Sequence, residues 1–138
     1  MRNRALAAAL CAASVSLLCV FAVYAPVRAF TPAQADRGLQ AYDRVCSKCH
    51  QPDLQGNQES EAPALVGETF DTHWRGQPIK ELFDKVSSKM PADNPASLPA
   101  GAYLDIVAYL LQANKVPVGN EDLDLTQESL MRTIPAGQ

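Results

Sequence analysis

Residues 46–50 read Cys46-Ser47-Lys48-Cys49-His50, and this short run decides the fold expected for the rest of the chain. Two thiols three positions apart lie on one face of a helical turn. That spacing brings both within reach of the two vinyl groups along one porphyrin edge, and the imidazole of the next residue can then bind the central iron. The C-x-x-C-H pattern therefore predicts one covalently attached haem c, with His50 as an axial ligand.

Other chemistries of paired cysteines fit the surrounding sequence less well. A single disulfide is the simplest use of two cysteines in an exported domain. A thioredoxin-like pair would follow a strand within a βαβ unit, whereas this run follows a helical pattern. A structural zinc site needs four ligands, and the only other histidine is His73. Zinc and dithiol chemistry stay open as alternatives to haem attachment.

Met90 is the leading candidate for the second axial ligand of the iron. A thioether is a soft, uncharged ligand that raises the reduction potential of a haem. Pro91 restricts Met90 to extended backbone, which suits a loop that reaches over a flat ring. Met90 could instead be core filler, as most methionines are. His73 as the ligand, or an open iron, are the remaining alternatives, and Met131 has the character of a packing residue.

The first 29 residues have the pattern of an export signal. Arg2 and Arg4 precede an uncharged, apolar run over residues 5–25, and Val27-Arg28-Ala29 offers the small residues that a signal peptidase recognises. We expect cleavage after Ala29 and a periplasmic location. The apolar run is also long enough to span a bilayer, so an uncleaved membrane anchor is the competing interpretation.

The charge of the rest of the chain limits the possible partners. Residues 30–138 carry nine basic and fifteen acidic side chains, a formal charge of −6. A nucleic-acid partner is disfavoured because phosphate contact needs a basic surface. The length allows one small domain and excludes a large enzyme. We place that domain at residues 30–114, followed by a tail at residues 115–138 that packs on it.

The hydrophobic periodicity predicts an all-α domain of three to four short helices joined by long loops. Thr31, Pro32 and Gln34 form a helix start with a capping box. The predicted helices cover residues 31–45, 78–88 and 100–113, with a short helix in the tail and a loop over residues 51–74. Gly38 on the buried face of the first helix suggests that another backbone crosses closely there. So few short helices need a cofactor to complete the core, and the candidate wall residues of its pocket are Leu54, Leu65, Phe83 and Leu98.

Taken together, these features resemble class I c-type cytochromes over residues 34–114. The resemblance is carried by the helix start, the C-x-x-C-H run, Pro63-Ala64-Leu65-Val66-Gly67, the Met90-Pro91 loop and the final helix. More narrowly, Asp105-Ile106-Val107-Ala108-Tyr109-Leu110-Leu111 is similar to cytochromes associated with periplasmic quinoprotein alcohol dehydrogenases. The acidic Glu59-Ser60-Glu61 stretch departs from the family's pattern.

The resemblance implies a small cytochrome c fold wrapped around one haem, and it implies a role for each matching residue. Cys46 and Cys49 would bind the haem, with His50 and Met90 as axial ligands. The carbonyl of Pro63 would accept a hydrogen bond from the His50 ring. Gly38 and Tyr42 would cross the last helix near Tyr109 and Leu110.

The function implied by the resemblance is one-electron transfer in the periplasm, without catalysis. The expected partners are redox proteins such as a quinoprotein dehydrogenase, a cytochrome complex or a terminal oxidase. Contact with a membrane is expected only if the leader is retained. The alternatives are a haem c subunit of a larger dehydrogenase or oxidase, and a haem sensor or enzyme with an open iron site.

Overall fold

The computed structural model describes residues 29–137, and this part of the chain is helical. It contains no β-strand, only two isolated bridges that join Asn57 to Ala62 and Pro78 to Thr133. The predicted all-α class is confirmed. Six helices lie within residues 29–137: α1 (Pro32–Val45), α2 (Ser47–His50), α3 (Glu68–Trp74), α4 (Ile79–Lys89), α5 (Ala100–Ala113) and α6 (Gln127–Leu130).

Helix α1 begins as its sequence predicts, but the capping box is not completed. The Thr31 hydroxyl accepts a hydrogen bond from the Gln34 backbone N–H at 3.1 Å, and Pro32 is the first helical residue. The Gln34 side chain does not turn back to Thr31. Its Nε2 donates to the Leu123 carbonyl at 2.8 Å, and its Oε1 accepts from the Leu123 N–H at 2.6 Å. A buried amide is satisfied better by this two-way pairing than by one cap bond.

Helices α1 and α5 cross at Gly38, where the sequence predicts a close backbone and the resemblance implies the last helix. A Cβ atom at Gly38 would lie 1.8 Å from the Asp105 carbonyl oxygen and 2.9 Å from the Tyr109 Cβ. Only a residue without a side chain allows the two backbones to come this close. One turn further along, the rings of Tyr42 and Tyr109 pack with centroids 5.3 Å apart. The crossing positions α1 against α5, and the cysteine motif follows directly after the last residue of α1.

The predicted boundaries of the longer helices agree with the structure to within one residue, but the predicted loop over residues 51–74 is partly wrong. Its last seven residues form α3, of which only Phe70 is buried. A helix with one buried side chain has no apolar periodicity, so the pattern could not reveal it. Glu68 and Asp71 in its first turn favour the helical state through the helix dipole.

The segment after α5 lies against the helices. Gly119 N–H donates to the Phe30 carbonyl at 2.6 Å, and Ile79 N–H donates to the Arg132 carbonyl at 2.9 Å. Leu123 and Ile134 are buried, whereas Met131 is 51% exposed. The interpretation of Met131 as a packing residue is therefore wrong. It lies at the C-cap of α6.

The leader lies outside the described residues, apart from Ala29. Within residues 29–137, no helix combines the length and the apolar character that crossing a membrane requires.

Candidate haem-binding site

The cysteine motif occupies the turn between α1 and α2. Cys46 closes α1 by donating its N–H to the Tyr42 carbonyl at 2.8 Å, and it also opens α2, because the N–H of His50 donates to the Cys46 carbonyl at 3.0 Å. This turn holds Cys46 and Cys49 one helical turn apart. Both thiols are free.

Burial sets the reactivity of the first thiol. It raises the pKa of Cys46 to about 11, with the neighbouring Cys49 thiol adding to the effect. The attacking species in disulfide formation is the thiolate, which is scarce at neutral pH when the pKa is this high. Burial thus makes the Cys46 thiol a poor nucleophile for thiol–disulfide exchange.

The His50 ring is oriented by one hydrogen bond. Its Nδ1 lies 2.9 Å from the carbonyl oxygen of Pro63. A carbonyl oxygen only accepts, so Nδ1 carries the proton and donates it. The lone pair is then on Nε2, the nitrogen that remains available to a metal. This is the contact that the family resemblance implies for Pro63.

Asn114 supports the segment that orients His50, and sequence reasoning missed this role. Its Nδ2 donates to the Leu65 carbonyl at 2.9 Å and to the Leu110 carbonyl, also at 2.9 Å. The N–H of Leu65 donates to the Leu54 carbonyl at 2.8 Å. Leu65 is thus fixed on both sides of its backbone. Its side chain is half-buried against the core.

Met90 follows the last residue of α4 and has the extended backbone that Pro91 predicts, with φ −120° and ψ 152°. Its N–H donates to the Val86 carbonyl at 3.1 Å, which ends the helix. The hydroxyl of Tyr103 donates to the Met90 carbonyl at 2.8 Å. The Met90 side chain is half-buried against the same core as Cys46 and Leu65.

An ion pair brings the cysteine motif and the segment after Met90 together. Lys48 Nζ lies 2.5 Å from Asp93 Oδ2. The hydrogen bond between them raises the pKa of Lys48 and lowers the pKa of Asp93. Residues 45 positions apart in sequence therefore meet beside the candidate site. Sequence reasoning missed this pair, because nothing local marks either residue.

His73 belongs to a different environment. It is exposed, and its Nδ1 is 2.7 Å from the Thr69 carbonyl one turn earlier in α3. Among residues 29–137, no group of three or more His, Cys, Asp or Glu side chains is arranged to hold a metal ion. The zinc alternative therefore has no ligand set in the described part of the chain.

The residues present fit a haem c. Two free thiols one turn apart and an imidazole with Nε2 available are the groups that attach a haem c and bind its iron. The half-buried apolar side chains of Leu65 and Leu98 lie at the edge of the same core. An all-α domain with this donor set is a class I c-type cytochrome.

Comparison with known proteins identifies the family. The model of the family described as cytochrome c oxidase, cbb3-type, subunit III, matches residues 33–110, and the chain belongs to this family. Its members carry a cytochrome c domain, which indicates haem-based electron transfer.

Among solved structures, the chain is similar to the sulfane dehydrogenase SoxCD from Paracoccus pantotrophus, with a TM-score of 0.51 and 22% identity. The similarity covers 70% of this chain and 50% of that one, and at this identity it bears on the fold alone. No curated protein matches the chain significantly.

Proposed function

We propose that this protein is an exported, periplasmic electron carrier with one haem c, attached through Cys46 and Cys49 and ligated by His50 and Met90. The observation that carries the proposal is the hydrogen bond from His50 Nδ1 to the Pro63 carbonyl at 2.9 Å. That bond fixes the tautomer in which Nε2 is available, directly after two free thiols.

Each residue has a separate task in this proposal. Bound haem c supplies one-electron redox chemistry at its iron. Cys46 and Cys49 hold the group by two thioether bonds, so it does not dissociate between encounters. Pro63 keeps the His50 ring in one orientation and raises its basicity as a ligand. Met90 raises the reduction potential, because a thioether favours ferrous iron.

A carrier is favoured over an enzyme because His50 and Met90 would together hold the iron from the protein. Met90 belongs to a loop whose backbone is anchored by Tyr103, so the thioether is held by more than its own bond to a metal. With both residues bound to it, the iron would have no site for a substrate, and the group would exchange only electrons. An open-iron sensor or enzyme would need Met90 to leave.

Acidic side chains beside the cysteine motif favour a partner with a basic docking surface. The hydroxyl of Ser60 donates to the Cys49 carbonyl at 3.3 Å, which holds the exposed Glu59 and Glu61 next to the attachment turn. Redox encounters bury little surface, and their association rate falls with salt when the charges are complementary. Candidate partners are a quinoprotein dehydrogenase, a cytochrome complex or a terminal oxidase.

A second candidate function is a haem c subunit of a larger oxidase or dehydrogenase. The family's description as an oxidase subunit favours it. In this case the leader is retained as an anchor, or the tail holds the domain in the complex. After mild membrane extraction, a subunit copurifies with a larger redox enzyme, whereas a free carrier is recovered alone from the periplasmic fraction.

The experiment that tests the ligand assignment is the Met90→Ala variant, expressed with haem c maturation machinery. We expect covalent haem to remain, measured by intact mass. The weak Met-to-iron charge-transfer band of the ferric protein should disappear, the reduction potential should fall, and cyanide should bind more readily.

The matched control is His73→Ala, which removes the other candidate ligand. It should leave the spectrum and the potential at their wild-type values. An unchanged spectrum in Met90→Ala, or loss of the band in His73→Ala, would contradict the assignment of Met90. A colourless wild-type protein would contradict haem attachment itself.

A further inference from the structure

The loop that follows α4, residues 90–99, is fixed at both ends by one buried hydroxyl. We call it the Met90 loop. Tyr103, 3% exposed, donates its hydroxyl hydrogen to the Met90 carbonyl at 2.8 Å. The same oxygen accepts the Leu98 N–H at 3.2 Å. The two ends of the loop are therefore held at one point of helix α5.

The middle of the Met90 loop has a different kind of attachment. Residues 92–97 are exposed, and the N–H of Asn94 donates to the Pro91 carbonyl at 3.0 Å, which makes a turn around Asp93. Asp93 reaches from this turn to Lys48, with 2.5 Å between Oδ2 and Nζ. Lys48 lies between the two cysteines. The pair thus joins the segment that carries Met90 to the segment that carries Cys46, Cys49 and His50.

The exposure of this pair determines how it responds to the solvent. The Lys48 and Asp93 side chains are 56% and 61% exposed, so dissolved salt screens their attraction. Exposed ion pairs shift an equilibrium by only about two- to fivefold. Such a factor has little effect on the stability of the fold. The same factor does change the rate of a process that requires the Met90 loop to open. Replacement of Met90 by another ligand at a bound metal would be such a process.

We propose that the Lys48–Asp93 ion pair is a positioning contact that holds the Met90 loop closed, and that it makes the replacement of Met90 by an external ligand depend on ionic strength. This inference rests on the proposed ligation by His50 and Met90. The buried hydrogen bonds of Tyr103 hold the ends of the loop at any salt concentration. The exposed Lys48–Asp93 pair holds the middle of the loop, and salt weakens this contact.

The test is the binding of imidazole to the ferric, haem-loaded protein. The pH is kept above the pKa of free imidazole, so that the ligand is uncharged. Loss of the Met-to-iron charge-transfer band reports the replacement of Met90, at low NaCl and at about 1 M NaCl, where screening is nearly complete. Wild-type protein should bind imidazole about two- to fivefold faster at high salt than at low salt.

The variants Asp93→Asn and Lys48→Gln should already bind at the faster rate at low salt, and should respond little to added salt. The double variant should add nothing to either single one, which is the signature of a coupled pair. The reversed pair, Lys48→Asp with Asp93→Lys, should restore the slow rate at low salt.

Asp84→Asn is the matched control, because it removes the same charge from the Lys80–Asp84 pair on α4. It should behave like wild type. Wild-type kinetics in Asp93→Asn, or an equal acceleration in Asp84→Asn, would overturn the positioning role. A wild-type protein without the charge-transfer band would instead overturn the ligation by Met90, and this inference with it.

Discussion

Tyr103 shows how one polar atom on an apolar helix face can position a site. Its ring is buried with the other apolar residues of α5, whereas its hydroxyl is bonded to the carbonyl of Met90 and the N–H of Leu98. A buried tyrosine hydroxyl usually has a partner of this kind. Here the partners are two ends of a loop, so the hydroxyl determines the position of Met90.

We expect Tyr103→Phe to lower the free energy of unfolding by about 1–3 kcal/mol, because the Met90 carbonyl and the Leu98 N–H both lose their partner. The Met-to-iron band should also weaken, as the loop loses its anchorage. The control is Tyr109→Phe, which removes a hydroxyl from a half-buried ring packed against Tyr42. It should stay within about 0.5 kcal/mol of wild type in a denaturant titration. Equal effects of both substitutions would contradict the assigned role of Tyr103.

At the level of the helices, the crossing of α1 and α5 leaves no room for a side chain at Gly38. The carbonyl oxygen of Asp105 occupies the space where a side chain at Gly38 would begin. Backbone atoms of a helix cannot move aside as the end of a flexible side chain can. A methyl group there must push the two helices apart, and the turn that carries Cys46 moves with α1.

Gly38→Ala should therefore lower the free energy of unfolding by about 3 kcal/mol, even though alanine favours the helical state. Gly101→Ala is the matched control, because it lies in α5 and a Cβ there meets nothing within 4 Å. It should leave the stability within about 1 kcal/mol of wild type, on the stabilising side. Thermal or urea unfolding followed by circular dichroism measures both. Little change in Gly38→Ala would mean that the helices separate easily.

The sequence predicts those elements whose signal is local. The boundaries of α1, α4 and α5 follow from caps, prolines and apolar periodicity, and the cysteine motif has a fixed spacing. Helix α3 could not be predicted, because one buried residue, Phe70, makes no pattern. The Lys48–Asp93 pair and the bond from Asn114 to Leu65 join distant segments, and no local rule connects such residues. The assignment of Met90 as a ligand stays a prediction.

At the scale of the whole molecule, the tail is joined to α1 by polar contacts. Arg37 bonds both oxygens of Asp105 at 3.1 Å and one oxygen of Asp122 at 2.7 Å. Beside it, the Gln34 amide pairs with both backbone groups of Leu123. The Arg37 contacts are exposed and contribute little, whereas the Gln34 amide is 2% exposed. Of these side-chain contacts between the tail and α1, the Gln34 pairing contributes the most.

Gln34→Ala should lower the free energy of unfolding by about 2 kcal/mol, because it leaves the N–H and carbonyl of Leu123 without partners in a buried position. Hydrogen exchange should show faster opening around Leu123 than in the α1–α5 pair. Gln40→Ala, at an exposed position of the same helix, is the control and should change the stability by less than about 0.5 kcal/mol. Equal exchange rates in both variants would show that other contacts hold the tail.

The hydrogen bonds of Tyr103 also separate two roles of the Met90 loop, namely the positioning of Met90 and the contact with a partner protein. Because both ends of the Met90 loop are bonded to Tyr103, we expect that exposed residues between them other than Asp93 can change with little effect on Met90. Ala92 and residues 94–97 are exposed. Different side chains at these exposed positions would change the surface that a partner protein can contact. The domain could thus change its partner protein while the position of Met90 is retained.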